Sequence, residues 1–264
     1  MRPTIGVRWT IGDVSPRGFR ALELSVRGAV RLFGALARYA VCVNSLPLEE
    51  AQRRLPGLPE GVELRRVDAQ LPEALMRRFA PNMAEGVGWK FAPPRLFPDL
   101  HELALDNDCI LWGLPEGLSR WLGQPHGFLL AEDVAPAFGR FAPWCGAAPR
   151  NTGIRGLPPG FDLVEALDRV AARVREPLDS ELDEQGLQVA ALCACGPVHV
   201  VRVEEVSICS PFPPHRPDLG TCGAHFVGLN ARAAPWSHAG RPATEWIAEH
   251  FDRHLPEVER ALGG

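Results

Sequence analysis

The sequence predicts an α/β fold with a mostly parallel central sheet and a mixed second half. Short apolar runs typical of buried strands alternate with helical periodicity, most clearly over residues 18–38. Strand–helix–strand alternation favours βαβ units, which place neighbouring strands parallel. Polar residues follow the apolar runs, and the carboxyl ends of parallel strands lie along one edge, where ligands bind. The sequence therefore predicts a binding site at that edge.

The individual elements follow from the spacing of apolar residues. Runs of strand length occupy residues 5–9, 39–44, 61–67, 101–105, 109–112, 198–203 and 206–209. Helical spacing occupies residues 18–38, 162–174, 181–194 and 242–262. The last two strands are joined by a short connection, which predicts that they pair antiparallel. No repeat or linker interrupts the pattern, so we expect one domain.

Size and composition are those of an ordinary globular protein. A chain of 264 residues with 46% hydrophobic and 23% charged residues is long enough for one large α/β domain. The net charge of -4 and the lack of a basic run weigh against nucleic acid as a partner. No run approaches the roughly 20 apolar residues of a membrane span, and no signal peptide is recognisable. Seven scattered cysteines are typical of reduced thiols, which favours a cytoplasmic location.

Asp106-Asn107-Asp108 is the strongest local signal for chemistry, because it follows a predicted buried strand directly. Side chains alternate along a strand, so Asp106 and Asp108 project the same way. Two carboxylates held this close need a cation, a shared proton or bulk water. Mg²⁺ and Mn²⁺ favour carboxylates together with phosphate oxygens. The triplet is therefore a candidate divalent-metal site, with a solvated turn between two strands as the alternative.

Other polar residues are candidates for the same edge of the sheet. Thr10, Asn44 and Asp68 follow the first three predicted strands and are candidates for contacts to a base and ribose. Lys90 is the single Lys among 28 Lys and Arg residues, and it lies in a long irregular loop of the kind that is often functional.

Three later segments have both a structural and a functional interpretation. Asn151-Thr152-Gly153 precedes a helix and is either a plain turn or a ligand contact. Asp183-Glu184-Gln185 begins a helix, where acidic residues also complement the helix dipole. His225 is either a packed core histidine or a neutral nitrogen ligand for a metal.

In their order along the chain, these motifs resemble those of the GT-A glycosyltransferases, and most closely the glycogenin- and galactosyltransferase-like family 8. The resemblance covers nearly the whole chain and implies a single GT-A domain over residues 1–264. Its nucleotide-binding half is 1–110, and its donor-sugar and acceptor half is 111–264. It implies a hexosyltransferase that uses Mn²⁺ or Mg²⁺ and moves a sugar from a nucleoside-diphosphate sugar to an acceptor. The donor that the resemblance favours is a UDP-sugar.

The resemblance also implies roles for individual residues. Asp106, Asp108 and His225 match the metal ligands. Lys90 and Arg95 match basic residues that contact the donor, and Asn107, Asn151 and Gly153 match further donor contacts. Glu184, with Asp183 and Gln185 beside it, matches the segment near the anomeric carbon.

The sequence departs from the family pattern after His225. The family commonly has His-x-x-Gly-x-x-Lys-Pro-Trp, whereas here Ala234 stands at the Lys position, so that role is vacant or passes to Arg232. Whether transfer retains or inverts the anomeric configuration is left open.

Three rival functions remain possible on the sequence alone. The first is a sugar-phosphate nucleotidyltransferase, although the Gly-rich loop typical of those enzymes is missing after the first strand. The second is a GT-A-like protein that binds nucleotide sugars without catalysis. The third is a thiol-rich metal site, for which the cysteine spacing is poor. Its candidate ligands are Cys193, Cys195, Cys209, Cys222 and His225.

Overall fold

A seven-stranded sheet forms the centre of the computed structural model, which describes residues 4–67, 73–80, 88–231 and 236–263. The strands in the described ranges are β1 (Ile5–Ile11), β2 (Ala37–Val43), β3 (Val62–Arg66), β4 (His101–Leu105), β5 (Cys109–Leu111), β6 (Phe128–Ala131), β7 (Asn151–Leu157), β8 (Val198–Val201), β9 (Val206–Ile208), β10 (Gly223–His225), β11 (Ser237–His238) and β12 (Arg241–Pro242). The helices there are α1 (Pro16–Phe33), α2 (Leu48–Arg54), α3 (Glu73–Met76), α4 (Glu116–Leu122), α5 (Ala142–Cys145), α6 (Leu163–Ala171), α7 (Glu181–Cys195) and α8 (Ala243–Ala261).

The strand order of the main sheet is β3-β2-β1-β4-β7-β6-β8. Only β7 runs against its neighbours, because β1, β2, β3 and β4 pair in parallel and β8 pairs in parallel with β6. The predicted α/β fold with a mostly parallel sheet is therefore confirmed. The carboxyl ends of β1, β2 and β4 lie along one edge, which places Thr10, Asn44 and Asp106 there.

Helix α1 is the layer that joins the main sheet to a smaller one. Ser15 caps the helix by accepting from the backbone N–H of Gly18, and Pro16 occupies its first turn, where a missing N–H costs nothing. The smaller sheet has the order β5-β10-β9. Helix α1 packs so closely on β5 that a Cβ at Gly28 would lie 2.0 Å from the carbonyl oxygen of Leu111.

Apolar side chains fill three clusters around these layers. One lies between the main sheet and helices α1, α2 and α4, and a second lies between the sheet and helices α6 and α7. The third packs α8 against α1 and the smaller sheet. Within the described ranges, no helix combines the length and hydropathy needed to cross a bilayer. All seven cysteines are free thiols.

The predicted antiparallel pairing of residues 198–203 with 206–209 is wrong. Strand β8 pairs with β6 in the main sheet, whereas β9 pairs with β10 in the smaller one. A tight turn separates them, in which the carbonyl of Arg202 accepts from the N–H groups of Glu205 and Val206. The short connection therefore sends each strand to a partner distant in sequence.

Ser25 holds together three elements through two buried hydrogen bonds. Its hydroxyl accepts from Nε1 of Trp9 in β1 at 2.8 Å and donates to the carbonyl of Cys109 in β5 at 2.5 Å.

Ser25→Ala leaves a buried donor and a buried acceptor unpaired, so we expect the free energy of unfolding to fall by about 2–4 kcal/mol. Urea denaturation measures this loss. The matched control is Ser119→Ala on the exposed side of α4, which should change stability by less than about 0.5 kcal/mol. If the two substitutions lowered the free energy of unfolding equally, the stabilising role of the Ser25 hydrogen bonds would be contradicted.

Candidate metal and donor site

Asp106, Asp108 and His225 come together just beyond the carboxyl end of β4. The chain turns after Leu105, so that the two carboxylates stand between β4 and β5. His225 ends β10, which pairs with β5 in a register that sets His225 opposite Cys109. Its Nε2 atom lies 3.6 Å from Oδ2 of Asp106 and 3.3 Å from Oδ1 of Asp108. One ligand atom from each residue lies within 4.8 Å of the others.

Gly153 makes this approach possible. A Cβ at Gly153 would lie 2.4 Å from Cε1 of His225, so any larger residue would displace the imidazole. The carbonyl of Gly153 also accepts from the backbone N–H of Asp106 at 2.9 Å. Gly153 therefore positions two members of the cluster: it leaves room for the imidazole of His225, and its carbonyl bonds the backbone of Asp106.

Lys90 is the cation that faces this cluster. Its Nζ atom lies 2.9 Å from Oδ2 of Asp106 and 3.8 Å from Oε2 of Glu184. Partial burial opposes the charge, but the carboxylates of Asp106 and Glu184 outweigh it and raise the pKa of Lys90 above its ordinary value. The single lysine of the chain is thus a permanent positive charge in the site.

Glu184 lies in the first turn of α7, with 3% of its surface exposed. Its Oε1 accepts from Nε2 of Gln188, one helical turn later, and Gln188 in turn accepts from the guanidinium of Arg155 in β7. Burial is the main cause that raises the pKa of Glu184 to about 7, and the charge of Asp106 adds to it. Glu184 therefore exchanges its proton near neutral pH, as a general acid or base does.

His225 also has a shifted pKa. Burial lowers it, but the hydrogen bond to Asp108 and the charges of Asp108 and Asp106 raise it by more, so the net direction is upward. With 6% of its surface exposed, the ring is held in place rather than free in solvent.

The hydrogen bonds of Asp183 and Gln185 go to residues outside the acidic cluster. The carboxylate of Asp183 accepts from the guanidinium of Arg140 at 2.6 Å and from the Arg140 backbone N–H at 2.9 Å. Gln185 donates to the carbonyl of Ala137 and accepts from the N–H of Thr152. Consecutive helical residues point in different directions, and the structure places the Asp183 carboxylate on Arg140, so the catalytic roles of Asp183 and Gln185 stay predictions from the sequence.

Two predicted donor contacts are also placed elsewhere. Arg95 lies at the amino end of β4, where its guanidinium donates to four backbone carbonyls. Asp106 is at the opposite end of the same strand, so Arg95 does not reach the site. Asn107 exchanges hydrogen bonds with Asn230, which also donates to Asp108, and it donates to the carbonyl of Gly18, so its amide is already paired within the protein.

Of the remaining predicted donor contacts, Asn151, Thr10 and Asn44 lie on the expected edge. Asn151 donates to Asp133 at 3.0 Å and accepts from the N–H of Gly153. The hydroxyl of Thr10 accepts from Arg8 at 3.3 Å. Asn44 is buried, and in the described part of the chain its Nδ2 has no hydrogen-bond partner. Asp68, Arg232 and Ala234 lie outside the described residues.

Four residues that the sequence analysis missed support the site. Arg155 and Gln188 orient Glu184, Asp133 holds Asn151, and Asn230 donates to Oδ2 of Asp108 at 2.9 Å. Gln188 follows Glu184 at the spacing of one helical turn, a signal that is visible in the sequence. Nothing local marks Asn230, because its partners are more than a hundred residues away.

Glu184→Gln tests the raised pKa through stability. Between the ordinary value of 4.5 and about 7, the folded chain holds a proton on Glu184 that the unfolded chain has released. The unfolding free energy of the wild type therefore falls as pH rises through this window, by roughly 3 kcal/mol for this group. Glutamine does not titrate, so the variant should gain stability relative to the wild type between pH 4.5 and 7.5. Urea unfolding across that range gives the difference in unfolding free energy between the two proteins. If the two curves of unfolding free energy against pH were parallel, the raised pKa of Glu184 would be contradicted.

Comparisons with known proteins show the fold. No family model matches the chain, and no curated protein matches its sequence. Among solved structures, it is similar to galactosyltransferase LgtC in complex with donor and acceptor sugar analogues, with a TM-score of 0.58, 13% identity and coverage of 98% of this chain and 95% of that one. Mouse xyloside xylosyltransferase 1 gives a TM-score of 0.54 and 13% identity, covering 86% of this chain and 99% of that one.

The bifunctional glycosyltransferase WbbM gives a TM-score of 0.52 and 15% identity, covering 99% of this chain and 52% of that one. The similarity to LgtC extends over nearly the full length of both proteins, so it includes the smaller sheet and α8 as well as the central sheet. The chain therefore has the fold of the GT-A glycosyltransferases.

Proposed function

We propose that this protein is a metal-dependent glycosyltransferase that moves a sugar from a nucleoside-diphosphate sugar to an acceptor. The observation that carries the proposal is the convergence of Asp106, Asp108 and His225 with Lys90 and Glu184 at the carboxyl edge of the sheet. These residues come from four separate segments of the chain. A UDP-sugar is the donor we infer from the resemblance to family 8.

The residues present fit a hard divalent cation. Two carboxylates and one imidazole offer the oxygen and nitrogen ligands that Mn²⁺ and Mg²⁺ accept, and their ligand atoms already lie within 4.8 Å. Asp106, Asp108 and His225 would hold the ion, with oxygens of the donor diphosphate completing its shell. When bound, the ion supplies positive charge against the departing diphosphate.

Lys90 adds a second positive charge to the same place. Its ammonium already bonds Asp106, and its raised pKa keeps it charged through the neutral range. A compact ammonium on a flexible stem can move from a carboxylate oxygen to a phosphate oxygen without a change of protonation. Lys90 therefore stabilises negative charge on the leaving group, a contribution that grows as the glycosidic bond breaks.

Glu184 is the acidic group that we place beside the reacting carbon. It is the member of the Asp183-Glu184-Gln185 segment whose carboxylate faces Lys90, and its pKa of about 7 lies near working pH. In this position it serves either as the base that accepts the acceptor's proton or as a carboxylate that stabilises positive charge on the sugar.

Donor recognition is divided between the two halves of the chain. In residues 1–110, the edge that carries Thr10 and Asn44 would meet the nucleotide, and Nδ2 of Asn44, which has no hydrogen-bond partner among the described residues, is a candidate donor to it. Asp68 is proposed for contacts to the nucleotide on the basis of the sequence alone. In residues 111–264, Asn151 and Gly153 lie beside His225 and would meet the donor sugar.

The combined substitution Asp106→Asn and Asp108→Asn tests the proposal. It removes both charged ligands while preserving shape, so Mn²⁺-dependent hydrolysis of UDP-sugars should fall at least about a hundredfold. The matched control is Asp99→Asn with Asp168→Asn, which removes two exposed charges elsewhere and should leave hydrolysis unchanged. Unchanged hydrolysis in the first variant would overturn the metal site. Release of pyrophosphate from a sugar-1-phosphate and a nucleoside triphosphate would instead identify a nucleotidyltransferase.

A further inference from the structure

Cys209, His250 and His254 form a second cluster outside the donor site. Cys209 follows β9 directly, and the two histidines stand one helical turn apart on α8, on the face that packs against the smaller sheet. The Sγ atom of Cys209 lies 3.3 Å from Nε2 of His250. The rings of His250 and His254 have centroids 4.7 Å apart, and one ligand atom from each of the three residues lies within 4.8 Å of the others.

The ligand chemistry of this cluster differs from that of the donor site. A thiolate and two imidazoles are the ligands of zinc, whereas the two carboxylates of the first site favour harder cations. At tetrahedral angles, a Zn–S bond of about 2.3 Å and a Zn–N bond of about 2.0 Å set sulfur and nitrogen about 3.5 Å apart. The observed separation of 3.3 Å between Cys209 and His250 is close to this value. We propose that Cys209, His250 and His254 bind a zinc ion.

The surroundings of His254 suit a ligand. Its Nε2 bonds the carbonyl of Pro217 at 2.9 Å, as metal-bound histidines commonly do with the nitrogen that does not face the ion. That bond leaves Nδ1 of the neutral ring with a lone pair for the metal. Cys209 and His250 are buried, whereas His254 is only partly covered, so the ion can enter from the side of His254.

A zinc ion here would fasten α8 to the strands that hold the donor site. The backbone N–H of Cys209 donates to the carbonyl of His225 at 2.8 Å. The neighbouring Phe226 packs its ring against Phe251 of α8 with centroids 5.0 Å apart and lies 6.4 Å from His254. A bound zinc ion would therefore link α8 to the strand end that presents His225.

Metal analysis of the full chain purified without chelator tests the site. Mass spectrometry should find about one equivalent of zinc in the wild type and less than about a tenth in Cys209→Ser and His254→Gln. The matched controls are Cys195→Ser and His126→Gln, which change an exposed thiol and an exposed imidazole and should keep the zinc. The variant with Asp106→Asn and Asp108→Asn should also keep it, which separates this site from the proposed glycosyltransferase site.

Cobalt substitution reports on the ligands directly. Chelator-treated wild type titrated with Co²⁺ should develop a thiolate-to-cobalt charge-transfer band, which His126→Gln retains and Cys209→Ser and His254→Gln lose or shift. The glutamine in His254→Gln has an amide that can still donate to the carbonyl of Pro217. This variant therefore tests zinc binding even if Cys209→Ser does not fold. The alternative is a metal-free S–H···N hydrogen bond between Cys209 and His250. Wild type that purifies without zinc and shows no thiolate band with Co²⁺ would establish that alternative and overturn the proposal.

Discussion

The structure depends on how negative charge is held at the carboxyl end of β4. Asp106 and Asp108 both lie within 3.6 Å of Nε2 of His225, and Asp108 is 4% exposed, so solvent screens the repulsion between the two carboxylates only weakly. The ammonium of Lys90 and the imidazole of His225 approach these carboxylates from two other segments. A bound divalent cation would neutralise the remaining negative charge of the two carboxylates. A diphosphate is also negatively charged, so it requires the same positively charged groups. The positive charge that the two carboxylates need and the positive charge that the proposed donor needs are therefore supplied at the same site.

The surrounding fold positions each partner of this charge cluster. Strand β5 turns back after Asp108 and pairs with β10, which brings His225 across from the acidic turn. Gly153 leaves room for the imidazole, and α7 brings Glu184 to Lys90. Behind Glu184, Gln188 and Arg155 continue the chain of polar contacts into the main sheet. The network explains why polar side chains are buried between a sheet and a helix that are otherwise packed by apolar residues.

The sequence predicts those features that are set locally. Strand ends and the parallel sheet follow from apolar alternation and from the handedness of βαβ units. Asp106 and Asp108 lie in the turn after β4, so strand alternation does not set their direction, and the approach of both carboxylates to His225 depends on that turn. The direction of a side chain on a helix depends on which residues pack against it, so Asp183 could not be separated from Glu184 without knowing where Arg140 lies. Arg95 precedes the acidic strand in sequence, yet it lies at the strand's other end because the chain enters there. The spacing of His250 and His254 by one helical turn is visible in the sequence. The approach of Cys209 to them and the contacts of Asn230 depend on distant segments, for which no local pattern exists.

The most direct test of the central claim is a crystal structure of the protein with Mn²⁺ and UDP, with anomalous scattering recorded for manganese. We expect one manganese peak bonded to Asp106, Asp108 and His225, with the diphosphate of UDP on the ion and within reach of Lys90. Manganese bound elsewhere, or UDP bound with its diphosphate away from these residues, would contradict the account.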